Sequence, residues 1–297
     1  MAPQSLNRRA PPPYQPPSLS MKLQLVPARQ GALWVRQGFA IFLRQPMGFA
    51  GLFASFLFAV FALMLVPFAG PALLLALLPL GSLGFMVATR RVLSGRFPLP
   101  HAFIEPLRAG RPRLVALVRL GIIYAAATWA ILWLSDLFDG GALDALVEAQ
   151  ANGSSAETIA ARLADPRLRF GVLLRFGLLG LLSIPFWHAP ALVHWGGFPA
   201  AKSLFFSTMA VWRNKGAFIV YSLAWFGVLA TFALLANLLF ALLGRPDLVP
   251  LVAMPASLVF STVFYASLWF TFADCFRPDD GDAADRPTTL TTPTTGG

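Results

Sequence analysis

The sequence is poor in charged residues and contains a single cysteine, Cys275. Charged side chains make up 12% of the 297 residues, whereas soluble domains carry about 25%. One cysteine excludes an internal disulfide bond and any multi-cysteine metal site. His188 and His194 are six residues apart and fall on different helical faces, which excludes a two-histidine metal site on one helix. Phosphate-loop, nucleophile-elbow and zinc-helix motifs are also missing from the sequence, so we expect no enzymatic activity and no cofactor.

Long apolar runs are what the sequence has instead. Residues 45–89 contain no ionisable side chain, and Pro-Phe-Ala-Gly-Pro stands in the middle of this run at residues 67–71. A membrane-spanning helix needs about 20 apolar residues to cross roughly 30 Å of hydrocarbon, so the run predicts two spans and a tight turn. Similar runs follow, and the sequence predicts an all-α integral membrane protein with six transmembrane helices. The expected spans are residues 47–67, 71–88, 114–135, 170–195, 216–243 and 248–273.

The positive charges predict the orientation of these spans. Lysines and arginines lie before the first span, after the second, before the fifth and at Arg277, whereas acidic residues gather in segment 136–169. Because basic residues accumulate on the cytoplasmic side, we expect both termini in the cytoplasm and the protein in a bacterial inner membrane. The net charge of +10 does not indicate nucleic-acid binding, since the basic residues flank apolar runs and do not form a patch on a polar domain.

Polar tails flank the predicted membrane domain of residues 21–277. Residues 1–20 contain six prolines and are expected to form a disordered, Pro-rich cytoplasmic arm, with Met21 as an alternative start. Residues 278–297, rich in Thr and Asp, are expected to form a second disordered tail. The acidic insertion, residues 136–169, is predicted to fold as two short helices over the periplasmic mouth, with Ser154 or Ser155 as an N-cap.

Amphipathic segments precede the first, third and fifth spans. Val35 and Phe39 share a helical face before the first span, and Phe205 and Trp212 share one before the fifth; residues 102–108 form a weaker analogue. Each segment predicts a helix in the cytoplasmic interface, with its apolar face toward the acyl chains and its basic residues toward anionic headgroups. The chain is therefore predicted to contain three repeats of interfacial helix plus transmembrane hairpin. The residues expected to contact headgroups are Arg36, Arg44, Arg213 and Lys215.

Polar side chains inside spans are functional candidates by default. Arg175 in the fourth span is expected to pair with Asp136 or Asp139 at the end of the third, as a structural ion pair rather than as a substrate-binding arginine. Asn237, in the middle of the fifth span, is expected to form a hydrogen bond between helices. Prolines in the fourth span, at 185 and 190, predict a kink there.

The segment Met-Lys-Leu-Gln-Leu-Val-Pro-Ala-Arg-Gln-Gly at residues 21–31, followed by Trp34 and by Phe-Leu-Arg-Gln-Pro at 42–46, resembles the start of an uncharacterised family of proteobacterial inner-membrane proteins. The resemblance continues through residues 189–193 and 201–214, so it covers about residues 21–277. More distantly, the chain is similar to the multi-span domains fused to some glycerophosphodiester phosphodiesterases, without their catalytic barrel. The family resemblance implies a six-span inner-membrane protein with no established activity.

Two functions stay open at this point. The first is a non-enzymatic membrane protein in envelope organisation or membrane-complex assembly, whose partners are anionic lipid and a membrane protein or a second copy of itself. The alternative is a carrier or channel for a small or amphipathic solute, with a site near the kinked fourth span, because discontinuous helices mark substrate sites in carriers. A polar cavity between the third, fourth and fifth spans would favour the alternative, and a dry bundle would favour the first.

Overall fold

The computed structural model describes residues 21–278, so the predicted Pro-rich arm and almost all of the predicted Thr/Asp-rich tail lie outside the described residues. Within that range the chain forms eleven α-helices and two three-residue strands. The helices are α1 Gln30–Arg44, α2 Pro46–Met64, α3 Gly70–Leu93, α4 Arg111–Asp139, α5 Ala142–Ala151, α6 Ala156–Leu163, α7 Pro166–Phe186, α8 Ala189–Gly196, α9 Ala200–Arg213, α10 Lys215–Leu242 and α11 Val249–Cys275, and the strands are β1 Met21–Leu23 and β2 Phe276–Pro278.

Six helical segments are long and apolar enough to cross a membrane: α2, α3, α4, α7 with α8, α10, and α11. Large apolar side chains on these segments point outward, as Leu173 and Phe226 do with 72% and 71% of their surface exposed. Such side chains would be unfavourable in water but suit contact with acyl chains. The prediction of an all-α, six-span membrane protein is confirmed.

The turn between α2 and α3 shows how the first apolar run folds back. Phe68 stands fully exposed at its tip with a φ of 60°. Gly70 approaches α2 so closely that a Cβ atom there would lie 2.2 Å from the carbonyl oxygen of Leu63. Any side chain at Gly70 would therefore push the two helices apart at the turn. We call the end of the bundle that contains Arg90 and Lys215 the basic end, and the opposite end, with α5 and α6, the acidic end.

The first helix, α1, packs between α10 and α11. Val35 is only 5% exposed. A Cβ atom at Gly31 would lie 2.1 Å from the Ala217 carbonyl oxygen, and one at Gly38 would lie 2.8 Å from the Ser267 Cβ. The two glycines thus allow backbone contact that no larger residue would permit. The prediction that the apolar face of α1 lies toward acyl chains is wrong, because α10 and α11 cover it.

Helix α9, which precedes the fifth span, differs from α1. Its small side chains Ser203 and Ser207 are buried, and α9 packs on α7 and α8. Phe205 and Trp212 are 59% and 70% exposed. The large apolar residues of α9 therefore lie away from the protein, as the sequence prediction of an interfacial helix requires.

The fold does not confirm the three predicted repeats. Before the third span the chain forms two short 3-10 helices, Pro100–Phe103 and Glu105–Arg108, because prolines interrupt a longer helix there. The three segments dock in a ring: α1 on α10 and α11, the first 3-10 helix on α2 and α3, and α9 on α7 and α8. The segments before the third and fifth spans each contact the hairpin that precedes them in the chain. The first segment, α1, contacts the last hairpin, which is formed by α10 and α11. The internal repeat itself stays a prediction.

The centre of the bundle is built around α3. Helix α4 approaches α3 closely, since a Cβ atom at Gly121 would lie 2.2 Å from the Ala76 carbonyl oxygen. On the other side of α3, Phe85 stacks on Tyr265 of α11 with the ring centroids 5.1 Å apart. Aromatic stacking of this kind adds about 0.5–1.5 kcal/mol to the burial of the rings.

The acidic insertion forms two short helices, α5 and α6, as predicted. Ser155 is the N-cap of α6, and its hydroxyl accepts the backbone N–H of Thr158. Both helices contact α7. At the other turn of the acidic end, Arg245 donates two hydrogen bonds to Asp247, and these lower the pKa of that carboxyl group.

Strands β1 and β2 pair antiparallel and join the two ends of the membrane domain, with Leu23 opposite Phe276. The backbone N–H of Gln24 continues the pairing by donating to the carbonyl of Cys275 at 2.8 Å. Both ends of the domain therefore lie at the basic end of the bundle, as an even number of spans requires.

Candidate functional site

The fourth span is broken near its basic end. Helix α7 ends at Phe186 and α8 begins at Ala189, so Trp187 and His188 lie between them. Pro185 has no N–H to donate to the carbonyl four residues earlier, and its ring displaces the preceding turn. The kink predicted from the prolines of this span is thus observed as a break between two helices.

Neighbouring helices satisfy the polar groups that the break leaves open. Ser207 of α9 accepts the backbone N–H of His188 at 2.9 Å and donates to the carbonyl of Ile184 at 3.1 Å. Thr271 of α11 accepts the indole N–H of Trp187 at 3.2 Å. Buried backbone groups need such partners because no water reaches them in hydrocarbon. Two hydroxyl groups from different helices therefore hold the break in place.

The imidazole of His188 is fully buried at this break. Its Nε2 lies 3.1 Å from Thr271 Oγ1, while its Nδ1 has no hydrogen-bond partner among the described residues. Phe218 and Phe276 pack edge-on against the ring. The Phe272 ring is tilted against it, with the ring centroids 6.0 Å apart. The imidazole is thus held by one hydroxyl and three aromatic rings, a packing role that no sequence pattern beyond the adjacent tryptophan indicates.

A cavity of 170 Å³ lies beside the break. Hydroxyl groups from four helices line it, on Ser82, Tyr124, Ser183 and Tyr265, and Trp187 forms part of its wall. Its lining contains no charged residue. A polar cavity between the third, fourth and fifth spans would have favoured transport, but this cavity lies between the second, third, fourth and sixth spans.

Arg175 and Asp136 lie together at the acidic half of the bundle, where an Arg175 Nη2 contacts an Asp136 carboxylate oxygen. The Arg175 side chain is 14% exposed and that of Asp136 is 45% exposed. Asp139, the alternative partner, instead accepts the backbone N–H of Gly141 at 2.8 Å. The pair joins α4 to α7, while its role as a structural pair rather than a substrate contact stays a prediction.

Asn237 does not join this pair and does not connect helices. Its side chain is exposed, and its amide donates to the carbonyl of Ala233 on the same helix at 2.8 Å. The expectation of an interhelical hydrogen bond is therefore wrong: the amide reaches a carbonyl one turn earlier on α10, so it needs no neighbouring helix.

The four residues expected to contact headgroups are all exposed: Arg36, Arg44, Arg213 and Lys215. Within residues 21–278 none of them forms an ion pair with a carboxylate. Lys215 Nζ lies 5.4 Å from the centroid of the Trp212 ring. These positive charges are thus free to meet an anion from outside the protein.

Two side chains at the basic end fasten the N-terminal segment, and neither is among the candidates predicted from the sequence. Asn214 accepts the backbone N–H of Val26 at 2.9 Å and donates to the carbonyl of Gln24 at 3.0 Å. Asp274 accepts the indole N–H of Trp34 at 2.8 Å. These contacts join positions about 190 to 240 apart along the chain, so no local pattern could have indicated them.

The sequence is similar to that of a probable inner membrane protein of Burkholderia thailandensis. The two are 35% identical over 271 residues, which cover 91% of this chain and 99% of the relative. No protein-family model matches the chain, and no solved structure matches it.

Proposed function

The chain belongs to the same family as this Burkholderia protein, a family of probable inner membrane proteins, and from that premise we propose that it is a non-enzymatic protein that organises anionic phospholipid at the cytoplasmic side of the inner membrane. Envelope organisation or assembly of a membrane complex would be the setting for this activity. The resemblance to membrane domains fused to phosphodiesterases stays a prediction.

The segregation of charge carries the proposal. Among the described residues, the basic end contains two acidic side chains, Glu105 and Asp274. Glu105 pairs with Arg91 at 2.5 Å, and Asp274 accepts a hydrogen bond from Trp34. Most arginines and lysines there, including the four exposed headgroup candidates, are left without a carboxylate. Since each basic residue near an anionic leaflet contributes about 1 kcal/mol of attraction, this end fits an anionic surface.

Helix α9 also supports binding of the basic end to an anionic membrane surface. It presents Phe205 and Trp212 outward and ends at Arg213, two residues before Lys215. Large apolar residues next to basic ones are typical of helices that lie in the membrane interface. The basic end would then face the cytoplasm, in agreement with the distribution of Lys and Arg.

Lipid retained by the purified protein tests the proposal. We expect anionic phospholipid to be enriched in the detergent-purified full chain relative to the membrane from which it was extracted, as measured by mass spectrometry. Replacing Arg36, Arg44, Arg213 and Lys215 by Gln together should reduce the enrichment several-fold. Replacing Arg167 and Arg169 at the acidic end by Gln should not. A retained lipid mixture equal to that of the membrane would overturn the proposal.

The hydroxyl-lined cavity favours a second candidate, a carrier for a small amphipathic solute. Its 170 Å³ would admit only a small molecule, and its position beside the broken fourth span matches carriers with discontinuous helices. Proteoliposome flux of candidate solutes tests it: Ser183→Leu would narrow the cavity and lower a flux that Ser257→Leu, outside the cavity, would leave unchanged.

A further inference from the structure

An apolar groove of 670 Å³ opens on the surface between α7, α9 and α10. Leu181 and Pro185 of α7 form one wall, and Ile219 and Leu223 of α10 form another. Thr208 of α9 lies between them. This groove is separate from the central cavity beside the broken span.

The groove lies where the chain passes from α9 into α10 beside the proline-containing end of α7. Helix α9 packs along α7, and the chain then turns at Asn214 into α10. Asn214 is buried and holds this turn against the N-terminal segment. Pro185 bends α7 on the opposite side. The turn at Asn214 and the proline of α7 therefore define the space between α7 and α10.

The mouth of the groove carries a positive charge. Lys215 and Trp212 both line the groove at its basic end, and the Lys215 ammonium lies 5.4 Å from the centroid of the Trp212 ring. Lys215 has no carboxylate partner among the described residues. Tryptophan prefers the level of lipid headgroups, and lysine extends its ammonium toward them while its stem stays in apolar surroundings.

The length of the groove matches one leaflet. Lys215 and Leu223 are eight residues apart on α10, which corresponds to about 12 Å along the helix. Half of the hydrocarbon core measures about 15 Å. A chain that enters at Lys215 would thus reach close to the middle of the bilayer. The apolar walls suit an acyl chain, and the charge at the mouth suits a phosphate.

We propose that this groove binds one anionic phospholipid, with an acyl chain between α7 and α10 and the phosphate at Lys215. The proposal deepens the proposed function and rests on it, because it gives the anionic lipid a defined site. A second copy of this chain would bring the same positive charge to the mouth, so charge complementarity favours the lipid as occupant. Phosphatidylglycerol, with one negative charge, is the probe.

Fluorescence quenching by brominated lipid tests the site in the full chain. The protein is reconstituted in phosphatidylcholine vesicles that contain either brominated phosphatidylglycerol or brominated phosphatidylcholine. The share of fluorescence due to Trp212 is the difference between the natural protein and Trp212→Phe. We expect brominated phosphatidylglycerol to quench this share several-fold more strongly than brominated phosphatidylcholine.

Two variants separate the phosphate contact from the acyl-chain seat. Lys215→Gln should abolish the preference for phosphatidylglycerol. Lys202→Gln is the matched control on α9 and should keep this preference, because the Lys202 ammonium lies 4.3 Å from the centroid of the Phe198 ring. Ser222→Phe fills the exposed groove and should lower quenching by both lipids. Equal quenching of the natural protein by both lipids overturns the site, as does an unchanged preference in Lys215→Gln.

The remaining outcomes distinguish the groove from the proposed function. If the purified chain is enriched in anionic lipid but Lys215→Gln and Ser222→Phe change nothing, the groove proposal fails alone. If no anionic lipid is enriched, the proposed function fails as well. A dimer mass together with protection of Trp212 from both lipids would identify a second copy as the occupant and overturn the lipid site.

Discussion

The hydroxyl of Ser207 accepts the backbone N–H of His188 at 2.9 Å, so the surface helix α9 closes the gap in the broken fourth span. The same hydroxyl donates to Ile184 on the other side of the gap. One small side chain thus links α7, the break and α9. The His188 N–H and the Ser207 hydroxyl are both buried. Without Ser207, the His188 N–H would remain unpaired in an apolar environment.

Ser207→Ala is therefore expected to destabilise the protein. The change leaves the His188 N–H without its partner, and a buried unsatisfied group costs about 1–3 kcal/mol. Unfolding of the purified protein in detergent, followed by heat or denaturant, measures the loss. Thr208→Ala is the matched control, because the Thr208 hydroxyl is exposed and bonds to Leu204 on its own helix. Equal losses in the two variants would contradict the bridging role.

Gly31→Ala should displace α1 from the bundle. A Cβ atom there would lie 2.1 Å from the Ala217 carbonyl oxygen, a distance that no rotamer change relieves. Gly227→Ala on α10 is the control, since nothing lies within 4 Å of its added Cβ and alanine favours a helix over glycine by about 0.5–1 kcal/mol. Thermal stability in detergent should fall for the first variant and stay or rise for the second. An unaffected Gly31→Ala protein would show that α1 does not pack as described.

The Arg175–Asp136 pair is expected to stabilise the contact between α4 and α7. Because Asp136 is 45% exposed, the coupling should be modest, about 1 kcal/mol. A double-mutant cycle with Arg175→Ala and Asp136→Ala measures it as non-additivity of the two stability losses. The reversed pair, Arg175→Asp with Asp136→Arg, should recover part of what each single reversal loses. Strict additivity and no recovery would rule out the pairing.

Topology can be tested at both ends of the bundle. A fluorescent protein fused after Gly297 should fluoresce, because such proteins mature in the cytoplasm. A periplasmic enzyme inserted between α5 and α6, within residues 152–155, should be active. The insertion site is an exposed turn between short helices, so the fold should tolerate it. The opposite pair of results in well-expressed cells would invert the orientation.

The six spans could be predicted from the sequence because hydrocarbon imposes a length and a composition on each of them. The place of α1 could not. An amphipathic face such as that of Val35 and Phe39 looks the same whether lipid or protein covers it. Gly31 and Gly38, which fall on the buried side of α1, were the available sign of close helix contact.

The polar contacts show the same limit. Arg175 could be matched to an acidic residue because both lie at the same end of adjacent spans. The mid-span position of Asn237 predicts a partner on another helix, but its amide bonds to a carbonyl of its own helix. The roles of Asn214 and Asp274 depend on a segment about two hundred residues earlier in the chain, which no local pattern indicates.

The position of α1 between α10 and α11 sets an order for the assembly of the protein. Ribosomes make the chain from its N-terminus, so α1 is complete before α11, which begins at Val249, has been synthesised. Until then the final neighbours of α1 do not exist. A helix with one apolar and one basic face can bind to the membrane surface during this interval. The pairing of β1 with β2, which needs the last described residues, would then complete the domain.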